Sequence, residues 1–592
     1  MSSKTENSKQ INTISFIVLN CILFAFYYYL FEGFFPNQNG NLGHDYSQFL
    51  PQLLDGYFWF SVNGFFEIPW FTPSFGGGLP KLPNPQSMYY SIPQFFSFFL
   101  NPLTSVKFTF FLFASFGFYG FFFFLRKIFQ LSVEISFLGG VFFLFNGFYA
   151  YRIIIGHLTF HSFMLTPLLL FFLFEDTTLS ESKNRFAISI SALLFSYFIY
   201  SGGIHLLAPL ALIILIVWVI LEIRNENFKT KSFLKKANLS LLLGLGLSSL
   251  KINSSFYFLS YFPRDLYPLP GVENIFNLMK LIFLSLINHP DPEFANEITV
   301  NKVFNLEKHE FEYGITLLPF LFIIYGGFYF ISASKTNLSR KQTLLCIILF
   351  LLFLLPILFN FYSPNWNEFL KTIPLIKSSS TNVRWFCIYI PTIILLGCIS
   401  IDKIRFKKEF CLVGIIVILL TNLFTDQNFY QKQIYNPERI LKTFKEVKEG
   451  RLNPEITDVY AKAVLNQEIV LGNDLFTVGA SQIKPYEPIF GYRLENFPLN
   501  PLSPGPAMQD IGGVFNLKNP ACYVFAEANS CLPGNHFLIT QKEKAELFRK
   551  YKPFTFETPI SQKIVNLITI ISFIFVIFLL SHTTFQSFRK YN

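Results

Sequence analysis

Roughly a dozen apolar runs, each about 16–25 residues long, recur along this chain, and about 20 residues span a bilayer as a helix. That one feature excludes most soluble folds. The lipid core offers backbone N–H and C=O groups no water, so each run defaults to a continuous helix. Charged residues make up only 14% of the 592, against about 25% in soluble domains. The expected fold class is an all-α polytopic membrane protein of about twelve transmembrane helices, with a small α+β extracytoplasmic lobe near the C-terminus. The spans are expected at 11–35, 104–125, 133–151, 160–175, 186–201, 204–223, 237–259, 313–332, 343–361, 385–402, 410–425 and 562–582.

Lys and Arg in the short connections set the orientation. Arg126, Lys127, Lys183, Arg185, Arg224, Lys229, Lys231, Lys235, Lys236, Lys335, Arg340, Lys341, Lys403, Arg405, Lys407 and Lys408 fall on one side of such a bundle. That side is assigned to the cytoplasm, together with both termini. The net charge of +10 is then largely topological, and no nucleic-acid partner is needed to explain it. The expected location is a bacterial inner (cytoplasmic) membrane. The long connections 36–103, 260–312, 362–384 and 426–561 lie on the other side. The domain reading is 1–425 as the transmembrane unit with outer loops 36–103 and 260–312. Residues 426–561 form the outer α+β lobe, and 562–592 a last helix with a cytoplasmic tail. Cys522 and Cys531, in ACYVFAEANSC, are expected to form a disulfide in an oxidising compartment.

In FLPQLLDGYFWF, apolar residues share one helical face and Gln48, Gln52 and Asp55 the other. That spacing predicts a helix lying in the membrane interface plane. Trp70, Tyr89 and Tyr90 are expected in the headgroup belt. A second amphipathic stretch runs over 274–287.

Ionisable groups near apolar spans gather on the outer side. His44 and Asp45 open the first loop; Arg152, His157 and His161 sit in YRIIIGHLTFHSF; His205 follows Gly202-Gly203. Lys251 lies in or at the end of a span, Glu310 and Glu312 precede the next in HEFEYG, and Arg384 follows SSSTNV. Such groups are costly at membrane depth and are functional candidates. Each also has a structural reading. Asp45 suits a helix N-cap with Gln48 as its capping-box partner. Arg152 suits a cation reaching to headgroups. His157 and His161 have the spacing of a metal pair but lack an accompanying acid. His205 and Lys251 suit structural hydrogen bonding. Arg384 at a helix start opposes the helix dipole, a conflict that a bound anion would relieve.

Nucleotide-binding loops and the GxSxG and CxxC patterns are missing from the sequence. Chemistry on the outer side then needs a substrate carrying its own activation. A sugar on a polyprenyl phosphate qualifies, since the phosphate is the leaving group and the lipid holds the donor in the bilayer. A carboxylate must take the acceptor's proton, which suits Asp45. Cationic donors must stabilise the departing phosphate, which suits Arg152, His157 and Arg384. His44, His161, His205, Lys251, Glu310 and Glu312 are the candidate substrate-binding groups.

The order GHDYSQFLPQLLDG, PWFTPSFGGGLPKLPNP, SIPQFFSFFLNP, GHLTFHSFMLTPLLL, EFEYG, IPLIKSSSTNVRW resembles the bacterial YfhO-like membrane proteins of the GT-C glycosyltransferase class, over about residues 11–425. The resemblance implies inverting transfer from a polyprenyl-phosphate sugar, with the catalytic Asp of the first outer loop mapping onto Asp45. Many GT-C enzymes pair acids in that loop, whereas here His44-Asp45 stands alone and the next Asp is Asp55. A single-base, metal-free version is therefore favoured over one using a divalent metal, and no cofactor is expected. The expected partners are the polyprenyl-phosphate sugar donor, an envelope glycan, lipid or protein acceptor, and membrane lipids. Two other functions compete: a transporter or flippase of lipid-linked sugars, and a non-catalytic envelope scaffold. Mid-span acids are scarce, which counts against a polar path through the bilayer.

Overall fold

In the computed structural model, all residues are described except 1, 177–179, 225–227, 264–267, 288–289, 303, 334–338, 378, 405, 425–429, 431–433, 466–467, 488–500 and 592. Lys335 and Arg405, assigned above to cytoplasmic connections, lie outside the described residues. Among the described residues, 7 helices are long and apolar enough to cross a membrane: Pro102–Ile128, Val133–Ile155, Ile204–Arg224, Thr230–Tyr261, Arg340–Asn360, Val383–Ile401 and Ile560–Thr583. Shorter apolar helices run over Ile17–Glu32, Leu158–Phe174, Ile275–Leu286 and Leu318–Phe328. This is a helical membrane protein. The expected span at 186–201 overlaps the helix Glu181–Tyr200 up to its last residue, and that at 410–425 overlaps Lys407–Leu423; both helices begin with charged residues.

Local sequence sets the helix ends. Asn101 caps Pro102–Phe123 by accepting from the Thr104 N–H (2.8 Å), and Ser339 opens Arg340–Asn360 with a capping box to Gln342. Asn146 splits the Val133–Ile155 segment: its Oδ1 accepts from the Tyr149 N–H (2.9 Å) and starts the helix Gly147–Ile155. From Ile135 to Ile155 that segment is buried, whereas Arg340–Asn360 and Ile560–Thr583 are largely exposed. Ile564, Leu567, Phe573 and Phe578 point outward, as a lipid-facing helix requires. Close helix packing runs through small residues, with Gly244 against Ala192 and Gly326 against Ser400.

The long connections carry short strands. Leu42–Gly43 of the first loop pairs antiparallel with Ile434–Tyr435, and Phe71–Thr72 with Leu79–Pro80. Gly271–Val272 pairs with Thr299–Val300. In the C-terminal part, Asp458–Tyr460 lies between Ala480–Gln482 and Gly505–Pro506, and Val514–Lys518 pairs with His536–Leu538. Cys522 and Cys531 are disulfide-bonded, with Cα atoms 5.9 Å apart. This part is interleaved with the first loop: Gly76 N–H donates to Gln482 O (2.7 Å) and Lys518 N–H to Gly77 O (2.8 Å).

That interleaving corrects one expectation. The helix Tyr46–Asn63 does not lay an apolar face on lipid; from Gln48 through Phe60 it is buried within the protein. Its polar face meets the C-terminal part, where Gln48 and Gln52 each donate to Glu487 (3.2 Å). Asp55 is enclosed by Thr72, Ser74 and Tyr89. Tyr89, expected in the headgroup belt, is buried on that carboxylate. An amphipathic pattern shows that a helix has two unlike neighbours and not which they are; here the polar neighbour is protein.

Asp474, on the short 3-10 helix Gly472–Val478, accepts from the Tyr435 hydroxyl (2.8 Å). Burial pushes its carboxyl up to about 7, against the opposing Tyr435 hydrogen bond and the Arg439 charge. A carboxyl raised in the fold keeps a proton that the unfolded chain has lost. Its contribution to stability is complete below about pH 4 and is lost as pH rises through about 7. The melting temperature is expected to fall between about pH 4 and 7, and Asp474→Asn to flatten that fall. Melts of both proteins across the range check this; parallel slopes would acquit Asp474.

Candidate active site

Two glycines bring the start of the first loop into contact with the end of the helix Gly147–Ile155. Gly43 lies so close to the chain that a methyl there would sit 2.5 Å from Ile155 Cα. Gly156 has a φ of +115°, and a methyl there would lie 2.4 Å from Tyr46 N and 2.6 Å from the Asp45 carbonyl carbon. With both methyls absent, Asp45 N–H donates to Ile155 O (3.1 Å) and the Tyr46 hydroxyl to Ile153 O (2.7 Å). The turn after Gly156 then places His157 Nε2 2.5 Å from Asp45 Oδ2. Gly156→Ala is expected to separate these strands of chain, because the positive φ and the backbone overlap both oppose it. Lower melting temperature and faster acylation of His157 by diethyl pyrocarbonate are the expected readouts; unchanged reactivity would count against this account.

Asp45 stands at the N-cap position of Tyr46–Asn63 but its side chain caps nothing. Instead it gathers three donors: His157, His44 Nε2 (3.2 Å from Oδ1) and the Tyr486 hydroxyl (2.8 Å from Oδ1). Burial alone would raise its carboxyl; the His157 and His44 contacts outweigh that and hold it well below the usual carboxylate range. Burial pulls the His44 imidazole down, but Asp45 and Glu307 outweigh it and raise it.

A second charged group adjoins the first. Glu310, on the short helix Lys308–Phe311, accepts from Arg152 NH2 at Oε2 (2.8 Å) and from Arg384 Nε at both oxygens (3.2 and 3.1 Å). Burial opposes ionisation of Glu310, yet Arg384 and Arg152 hold its carboxyl well below the usual range. Arg384 thus finds its anion at the helix start, and that anion is Glu310. Arg152 is fully buried, with its guanidinium 4.1 Å over the Phe148 ring and its NH1 on His309 O (2.8 Å). The rings of His157 and His309 meet edge to face at 4.9 Å.

His44, Asp45, His157, His309, Glu310 and Arg384 line one cavity of about 450 Å³ together with Gln48, Gln86, Glu307, Tyr486 and Glu487. Neither protein-family models, nor curated proteins, nor solved structures match this chain. The site is therefore read from its own geometry.

Of the expected residues, Asp45, His44, His157, Glu310 and Arg384 line the cavity. The others do not, and each has a physical reason. Arg152 does not face a donor phosphate; sealed behind Glu310, it positions that carboxylate and the His309 carbonyl. His161 is buried, its ring nitrogens on Leu158 O (2.5 Å) and the Tyr197 hydroxyl (2.6 Å). Lys251 Nζ donates to Ser87 O (2.9 Å) and so ties a membrane helix to the first loop. His205 packs on the Phe160 ring at 4.6 Å. Glu312 is buried, its side chain behind the cavity against Gly147.

The sequence reading missed His309, Glu307, Tyr486 and Glu487. His309 was legible as the first letter of HEFEYG beside two acids. Tyr486 and Glu487 sit in an unremarkable KPYEP, more than 400 residues from the groups they touch, and no local pattern announces them.

Proposed function

We propose that this protein is a membrane glycosyltransferase. It would move a sugar, with inversion, from a polyprenyl-phosphate donor to an envelope glycan, lipid or protein acceptor on the outer face of the inner membrane. In this reading the chain spans the membrane about twelve times with both termini in the cytoplasm, as its basic connections indicate. The observation that carries the reading is convergence. Asp45, His157, Glu310 and Arg384 come from separate connections and line one cavity; this reading takes those connections to lie on the side away from the basic loops.

In the transfer, the acceptor hydroxyl oxygen bonds the anomeric carbon while the bond from that carbon to the phosphate oxygen breaks. The hydroxyl proton passes to Asp45, and the electron pair of the broken bond leaves on the polyprenyl phosphate. His157 and His44 hold Asp45 ionised and ready to accept. Arg384, the partly exposed guanidinium of the cavity wall, faces the leaving group.

The test uses purified protein, a polyprenyl-phosphate hexose and extracted envelope glycan, with Asp45→Asn alongside. Transfer by wild type that is lost in the variant supports the reading. Full transfer in Asp45→Asn would remove the base. Translocation of the donor across vesicles without transfer would favour the flippase.

A further inference from the structure

The cavity has a charge problem. Asp45, Glu307, Glu310 and Glu487 all line it, whereas the nearest guanidiniums, Arg384 and the buried Arg152, are both already bound to Glu310. A pocket of that balance repels an anionic phosphate unless another cation enters.

The side chains that would hold one are in place. His157, His309 and Glu310 each offer a ligand atom, and the three atoms lie within 4.8 Å of one another. Nδ1 of His157 is buried without a hydrogen-bond partner; Nδ1 of His309 is also buried without a hydrogen bond, with the Glu307 carboxylate 3.6 Å away. An unpaired imidazole nitrogen in a polar cavity is costly unless something occupies it. The other nitrogen of His157, Nε2, is on the Asp45 carboxylate at 2.5 Å. A carboxylate on the far nitrogen fixes the tautomer that leaves Nδ1 with its lone pair, the usual support of a metal-binding histidine.

We propose that His157, His309 and Glu310 form a binding site for a divalent transition-metal cation, with zinc the best-fitting ion. Two imidazole nitrogens and one carboxylate oxygen are the donors zinc prefers, and three protein ligands leave a fourth position open. Bond lengths of about 2.0–2.2 Å require the ligand atoms to close in by about 1–1.5 Å on loading. Glu310 then shares its oxygens with the ion, and the half-exposed Arg384 is the partner free to swing toward the cavity. Zinc binding itself does not depend on the glycosyl-transfer reading. The role assigned to the ion does: its open position would take a phosphate oxygen of the lipid-linked donor. This departs from the metal-free version favoured by the lone acid at Asp45, because the ligands come from other connections than the first loop.

The experiment uses full-length, tag-free protein in detergent, stripped with chelator and titrated with zinc chloride by calorimetry. Metal content is then measured after desalting. One equivalent is expected to bind wild type, with His157→Ala and His309→Ala each weakening binding at least tenfold. Zinc should raise the wild-type melting temperature and leave that of the double variant unchanged. No stoichiometric uptake by folded wild type, or uptake equal in wild type and both variants, would overturn the site. Zinc uptake without sugar transfer would sustain the site and sink the transferase. Transfer by metal-free protein that no chelator slows would sustain the transferase and overturn the phosphate-binding role assigned to the ion.

Discussion

Asp45→Asn is expected to lower the rate of sugar transfer by about 10²–10⁴-fold while leaving the fold intact, the range for removing a positioned general base. Asparagine keeps the shape and an oxygen for the Tyr486 hydroxyl, but it cannot take the acceptor's proton. The loss should fall on kcat rather than on the affinity for the donor, since the donor is held by other groups. A carboxylate held well below its usual range is a weak base in the resting cavity. That weakness fits the role, because the acceptor hydroxyl becomes strongly acidic only as its oxygen bonds the anomeric carbon, and the proton moves late. It also sets a requirement: Asp45 is only 5% exposed, so an acceptor must displace one of its three donors. Steady-state transfer rates and a circular-dichroism melt of the same preparation check this; a variant that turns over like wild type ends the assignment of the base.

Glu310→Gln is expected to be the most destabilising single change at the site, by about 3–5 kcal/mol. Removing one partner of a buried ion pair strands the other, and here two guanidiniums are stranded. Arg152 has no route to water: its side chain is 0% exposed and its Nε lacks a partner even in the intact protein. Arg384→Gln should cost less, because its head is 30% exposed and water already takes part of its charge. Adding Arg152→Met to Glu310→Gln should recover part of the loss, since a buried cation without its anion is worse than an apolar side chain of similar size. Unfolding of the three variants in detergent orders these costs. Equal stability of Glu310→Gln and wild type would show that the carboxylate is not what compensates Arg152.

The candidate residues were legible in unequal measure. Asp45 and Arg384 were found because each conflicts with its local setting: an acid beside a membrane helix, a cation at a helix start. Arg152 and His161 raise the same conflict, yet their answer is internal, Glu310 for one and Tyr197 for the other. From the sequence a buried ion pair and a ligand-binding group look alike, because both are charges placed where solvent is scarce. Tyr486 and Glu487 show the opposite failure. Nothing in their surroundings marks them, and they matter only because the C-terminal part folds back onto the first loop through Gly76, Gly77 and the pairing of Leu42–Gly43 with Ile434–Tyr435.

From the sequence alone it follows that this is a helical membrane protein and that ionisable groups adjoin its apolar spans. Both follow from composition summed over stretches of about 20 residues, where the cost of unsatisfied backbone in lipid overwhelms every local preference. Only the tertiary structure decided which of those charges face a cavity and which neutralise one another. That choice depends on contacts of a few ångströms between segments hundreds of residues apart, and a missing methyl at Gly156 weighs as much in it as the charge on Asp45.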